Sequence, residues 1–291
     1  MQGVFSTKHP TIICLLGTSR SGSTLLQSVL ASHSGAISLG EIARVHELFE
    51  RRSKCSCGET LAACNFWAPA LKELRRTSPV IAWSKASWIQ RGNSLLGVLA
   101  ATTGLNRLAS RKERQSARAL GNALATLGQG TGGSLFIDSS KEPSEFLRLA
   151  LLSSHRVIPV HVVRDPRGVA WSAFRRTGID PISSAKHWAQ LNRAIALLSR
   201  ITPTYPWQLV RYEDLCRDTQ AVSRKLLAAV GVTTGPKGPH PSHALGGSPG
   251  FSLDNSNDII ADERWKAEMP ESLKCLIMQT IGSAAPTFGY S

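Results

Sequence analysis

The chain has 291 residues, 42% of them hydrophobic and 19% charged, which is the make-up of a folded globular protein and excludes a disordered or fibrous one. Lysine and arginine number 34 against 20 acids, a formal net charge of +14, which favours anionic partners (nucleotides, nucleic acid, acidic glycans, anionic membrane) without choosing among them. No apolar run approaches the ~20 residues of a membrane span. The opening MQGVFSTKHP lacks the apolar stretch of a signal peptide, so the expected location is cytoplasmic, or lumenal if an N-terminal anchor has been removed.

In chain order, TIICLLG (11–17) reads as a buried strand and 23–33 as a helix starting near Ser23. AISLGE (36–41) is a second strand, followed by a helix over about 42–50. RRSKCSCGETLAACNFW is too rich in turn residues for a regular element. Helical patterns occupy 67–76, 86–101 and 112–128. SLFIDSSK (134–141) returns to strand, and a helix follows from Pro143, a fitting first-turn residue. RVIPVHVVRDPRG is a strand with its exit loop, then 167–177 and 184–200 are helical. PWQLVRYEDL (206–215) is the last clear strand, with a helix to about 230, and 232–258 is loop. Short apolar runs alternating with helix-period stretches predict a single α/β domain over 1–291. Its parallel sheet has four or five strands flanked by helices, with a helical insert at 78–130.

Such sheets bind ligands at the carboxyl ends of their strands. The unusual residues fall there: Ser19 to Thr24, Glu41, Asp138 to Lys141, and Arg164 to Arg167. GTSRSGSTLL (17–26) nearly spells a phosphate-binding P-loop, with Ser23 standing where the P-loop lysine belongs. Backbone N–H groups of a strand-to-helix turn point inward, and the helix start adds positive potential. A ligand with one 5′-phosphate and a different terminal group would not need the lysine and its magnesium ion. Arg20 and Lys141 offer cations instead.

TSRSGSTLL resembles the 5′-phosphosulfate loop of sulfotransferases that use 3′-phosphoadenosine-5′-phosphosulfate (PAPS). VVRDPRGVAWSAF (162–174) resembles their 3′-phosphate motif, with Arg164 at the strand end and Ser172 eight residues on. The two stand in the family's order, about 140 residues apart, and the resemblance is closest to the carbohydrate and tyrosylprotein branches and their bacterial relatives. It implies a P-loop-like fold and PAPS held by Ser19, Arg20, Ser21, Gly22, Ser23, Thr24, Arg164, Ser172, Tyr212 and Arg264. SLGE resembles the segment with the catalytic glutamate, here Glu41, 21 residues after Arg20. DSSKEP resembles the one with the catalytic lysine, Lys141. VRYEDL supplies Tyr212 near the nucleotide, and DERWK supplies Arg264 from a late basic segment. HALGGSPGF resembles a loop of the carbohydrate branch. It departs from that pattern at Ser248-Pro249-Gly250-Phe251, so the resemblance assigns no role to His243 or Ser248; His243 is second choice as base.

The implied reaction moves SO₃ from PAPS to an acceptor hydroxyl on a glycan, a tyrosine or a small molecule. Glu41 is general base, Lys141 and Arg20 stabilise the transferred charge, and no metal and no nucleic acid are involved. A P-loop nucleotide kinase and a non-enzymatic polyanion-binding protein are the alternatives. Taken singly, Glu41 fits a first-turn helix acid, Lys141 a solvated loop cation, and Arg164 an ion pair with Asp165. Cys55, Cys57 and Cys64 follow a C-x-C-x₆-C spacing with no fourth ligand evident; free thiols are expected ahead of a disulfide or a metal site. The insert, with Trp83, Trp88 and NRLASRKERQSAR, is either a solvated helical segment or a lid over the acceptor.

Overall fold

The structure, a computed structural model, describes residues 9–77, 111–232, 243–246 and 259–291. Five strands form one sheet: β1 (Thr11–Leu16), β2 (Ile37–Gly40), β3 (Leu135–Lys141), β4 (Val157–Val163) and β5 (Gln208–Arg211). Their order is β2-β3-β1-β4-β5, and every neighbouring pair is parallel. The chain therefore winds to one side of β1 through β3 and to the other through β4. All six residues of β1 are buried, which explains why this strand reads as an unbroken apolar run.

The two faces of β1 feed two separate cores, as the period of two requires. Ile12, Cys14 and Leu16 pack with α2 (Val45–Glu50), α3 (Trp67–Thr77), α4 (Arg111–Thr131) and α5 (Pro143–Leu152). Ile13 and Leu15 face α1 (Ser23–Ser34) on the other side. A third core lies beyond β4. There Val163 meets α6 (Pro166–Thr177) and α7 (Pro181–Ile201), joined by Met269, Ile277 and Ile281 near the C-terminus.

The last strand is shorter than its apolar pattern suggests. β5 ends at Arg211, and α8 (Tyr212–Arg217) begins at once. Glu213 and Asp214 are the cause: acids in a first turn favour a helix start. Asp218 divides what reads as one helix, since its side chain accepts from the Ala221 N–H and opens α9 (Thr219–Ala229). The expected helix over about 42–50 is a 3₁₀ turn at Ile42–Arg44 followed by α2. Of the insert, 78–110 lies outside the described residues. α4 is not a solvated face: Leu120, Leu124 and Leu127 pack into the core with Ala70 and Leu74 of α3. Among the described residues no helix is long and apolar enough to cross a membrane.

Candidate active site

Three strand ends on the central and β4 side build an arginine-rich corner. Gly17 leaves β1 at φ 148°, and a Cβ there would lie 2.2 Å from the Val162 carbonyl oxygen. Gly22 precedes α1 at φ 90°, with its Cα against the Tyr212 ring; an added Cβ would meet that ring at 2.5 Å. No side chain caps α1, and its first turn holds no acid. The start of α1 therefore keeps the positive end of its helix dipole uncompensated by a local acid. Thr18 and Ser21 hydroxyls bond to each other at 2.7 Å and hold the loop's shape. We expect Gly17→Ala to cost about 1–3 kcal/mol through overpacking, read as a lower Tm by calorimetry.

Arg164 leaves β4 and is nearly buried. Its guanidinium stacks on Tyr212 at 4.4 Å, donates to the Arg20 carbonyl oxygen at 3.2 Å, and pairs with Asp262 at 3.4 Å. Its own carbonyl oxygen accepts from the Trp188 indole at 3.0 Å, which pins the strand end. The Tyr212 hydroxyl accepts from the Asp262 N–H, and Arg264 pairs with the Asp262 carboxylate at 2.7 Å. The Arg264 and Arg164 guanidiniums overcome burial and hold the Asp262 carboxyl low, at about 2. Arg20 Nε donates to Ser172 Oγ at 3.1 Å, across 152 residues of sequence. Ser172 lies on the face of α6 that also carries Gly168, Trp171 and Arg175. These residues, with Arg20, Arg164, Arg176, Asp262, Arg264 and Trp265, line a cavity of about 250 Å³. Burial and the neighbouring Arg176 and Arg164 cations push the Arg20 guanidinium down. Cations that burden one another in this way are relieved by a bound polyanion.

The second part of the site is the pair Glu41–Lys141. Lys141 ends β3 at φ 72°. That turn is held by Asp138, which is fully buried and accepts from the Ser140 N–H at 2.9 Å and the Ser140 hydroxyl at 2.5 Å. Desolvation pushes the Asp138 carboxyl up to about 6 despite these bonds. Lys141 Nζ donates to Glu41 Oε1 at 2.6 Å and to the Ser139 carbonyl oxygen at 3.0 Å. Arg44 Nη1 donates to Glu41 Oε2 at 2.9 Å. Burial would raise the Glu41 carboxyl, but Lys141 and Arg44 outweigh it and hold the group below its ordinary range. The Lys141 carbonyl oxygen accepts from the Gly17 N–H at 3.2 Å, which joins this pair to the loop.

Every site residue expected from the sequence is among the described ones, and Arg20, Arg164, Ser172, Tyr212 and Arg264 converge. Ser21 is buried in the loop, Ser23 is buried as the first residue of α1, and Ser19 is exposed at the loop's tip. Thr24 sits in the first turn of α1. Ser248 lies outside the described residues. His243 directs Nδ1 at Cys55 and Cys64, at 3.6 and 3.5 Å. Arg167 is structural: it pairs with Asp165 at 2.7 Å and covers Trp265. The sequence reading passed over Asp262, Arg44, Arg175 and Arg176. Arg175 was legible, since 168, 171, 172 and 175 share one helical face. Asp262 was not, because only the fold brings its loop to Arg164.

A model of the sulfotransferase family matches residues 10–236. Among solved structures, the chain is similar to the sulfotransferase domain from the Synechococcus PCC 7002 olefin synthase. The two are 23% identical with a TM-score of 0.54, over 98% of this chain and 96% of that one. It is also similar to the sulfotransferase domain from the curacin biosynthetic pathway, at 21% identity and a TM-score of 0.57, over 97% of this chain and 98% of that one. A search of curated proteins finds no match.

Proposed function

Because the chain belongs to the sulfotransferase family, we propose that it transfers a sulfuryl group from PAPS to an acceptor hydroxyl, with Glu41 as general base. The observation that carries this reading is the Arg20–Ser172 contact. It joins the Gly17–Gly22 loop, suited to the 5′-phosphosulfate, to the Arg164 cavity, suited to the 3′-phosphate. A ligand with phosphate groups at both ends fits that corner better than one with a single phosphate.

In this reading the loop N–H groups and the start of α1 hold the 5′-phosphate, while Arg164, Ser172 and Arg264 hold the 3′-phosphate. The acceptor oxygen forms the new bond to sulfur as the bond from sulfur to the bridging phosphate oxygen breaks, and that oxygen keeps the electron pair. Lys141 neutralises the charge that develops there, with Arg20 on the equatorial oxygens. Turning toward the phosphate takes the Lys141 ammonium away from Glu41. Glu41 then becomes a stronger base at the moment its acceptor proton must be taken.

The test is formation of adenosine 3′,5′-bisphosphate from PAPS in the presence of a hydroxyl acceptor mixture, with mass spectrometry for an added SO₃. Added magnesium is expected to leave the rate unchanged, because Ser23 replaces the P-loop lysine and the two cations do the neutralising. Strict dependence on ATP and magnesium would instead favour a kinase. A binding prediction accompanies this. Charge-assisted contacts are worth ~1.5–3 kcal/mol, so Arg164→Ala should weaken adenosine 3′,5′-bisphosphate binding by roughly one to two orders of magnitude in calorimetry.

A further inference from the structure

Beside the site lies a cluster that the transfer reaction does not use. The chain turns back on itself at 54–60, where Lys54 and Thr60 form an antiparallel bridge. Cys55 N–H donates to the Glu59 carbonyl oxygen at 2.8 Å, and Gly58 N–H to the Cys55 carbonyl oxygen at 2.9 Å. Gly58 takes φ 93°, a conformation that favours glycine. One turn later the Cys64 N–H donates to the Thr60 carbonyl oxygen at 2.8 Å. The fourth group, absent from the local sequence, arrives from 179 residues away: His243.

The four ligand atoms of Cys55, Cys57, Cys64 and His243 all lie within 4.8 Å of one another. Nδ1 of His243 is 3.6 Å from the Cys55 sulfur and 3.5 Å from the Cys64 sulfur, and the Cys57 and Cys64 sulfurs are 3.6 Å apart. A tetrahedral zinc ion, with Zn–S about 2.3 Å and Zn–N about 2.0–2.1 Å, gives S···N edges of about 3.5 Å and S···S edges of about 3.8 Å. These three edges match, whereas a disulfide needs its sulfurs at about 2.05 Å. The imidazole is held in place from two sides. Its ring stacks on Phe66 at 4.5 Å with 3° between planes, and the His243 carbonyl oxygen accepts from the Trp67 indole at 2.7 Å.

We propose that Cys55, Cys57, Cys64 and His243 bind one zinc ion in a closed, structural site. Three thiolates and an imidazole suit zinc and leave no open position for substrate. The ion staples the 54–64 turn to the segment 243–246, and that segment touches the Glu41 centre. Leu245 N–H donates to the Leu39 carbonyl oxygen at 2.9 Å, and the Leu245 carbonyl oxygen accepts from the Glu41 N–H at 2.7 Å. The zinc thereby positions the backbone of Glu41. Only this last step rests on the sulfotransferase reading; the metal site stands without it.

The experiment is elemental analysis of the whole chain, purified without chelator or polyhistidine tag. About one zinc per chain is expected, together with the visible bands of tetrahedral cobalt–thiolate after exchange into cobalt. Cys57→Ser changes an exposed residue and leaves the core intact, and it should lose most of the metal with an unchanged circular dichroism spectrum. His243→Ala should lose it too. The proposal is overturned by folded wild-type protein holding less than about one zinc per ten chains and giving no cobalt bands. Full zinc retention in Cys57→Ser and His243→Ala would also overturn it, as would a Cys57–Cys64 disulfide in the freshly purified protein. Zinc content is read without any transfer assay. Zinc present with no affinity for PAPS would refute the proposed function alone.

Discussion

Replacing Glu41 with glutamine is expected to lower kcat by roughly 10²–10⁴-fold while leaving nucleotide affinity nearly unchanged. The glutamine keeps the size and a hydrogen-bonding oxygen for Arg44, but it cannot accept the acceptor's proton. The pH profile adds a second reading. The Glu41 carboxyl is held below its ordinary range, so its charged form persists above that lowered value and is lost only as pH falls through it. The acid limb of kcat/KM, which reports the free enzyme, is therefore expected below the ordinary glutamate value of about 4.3. A Glu41→Gln variant with near-normal kcat on its acceptor would reduce Glu41 to a helix-start acid.

Lys141→Ala is expected to reduce kcat by roughly 10²–10³-fold, the usual cost of removing a group that stabilises transition-state charge. The defect differs in kind from that of Glu41→Gln. An acceptor with a more acidic hydroxyl needs less help to lose its proton, so it should partly rescue Glu41→Gln and rescue Lys141→Ala less. Lys141 also donates to Glu41 at 2.6 Å. Without that ammonium the Glu41 carboxyl rises toward its ordinary value, and the acid limb of kcat/KM should move to higher pH. An unmoved limb would mean that the two groups are not coupled in the working enzyme.

The strands were legible because burial on both sheet faces writes them as apolar runs: TIICLL and VIPVHVV are buried from end to end. The charged residues at the strand ends were legible for the converse reason: Arg164 follows VIPVHVV directly, and Asp138 interrupts the apolar start of β3, each a charge where the run predicts an apolar side chain. Element ends were less so. The apolar pattern carries on into YEDL, where the helix acids Glu213 and Asp214 override it. Contacts across the chain were illegible from spacing alone. His243 had no visible partner until the fold laid 243–246 against 54–64, and Asp262 gained its place only by lying between Arg164 and Arg264. The short stretch 17–24 stood out because its two glycines occupy positions where a side chain would strike Val162 or Tyr212.

Calorimetric titration of the wild-type chain with adenosine 3′,5′-bisphosphate and, separately, with adenosine 5′-monophosphate tests the central claim most directly. The two ligands differ only in the group that the Arg164 and Ser172 corner is proposed to hold. At ~1.5–3 kcal/mol for the lost charge-assisted contacts, the bisphosphate should bind at least about tenfold more tightly. Equal affinity for the two nucleotides would contradict the account.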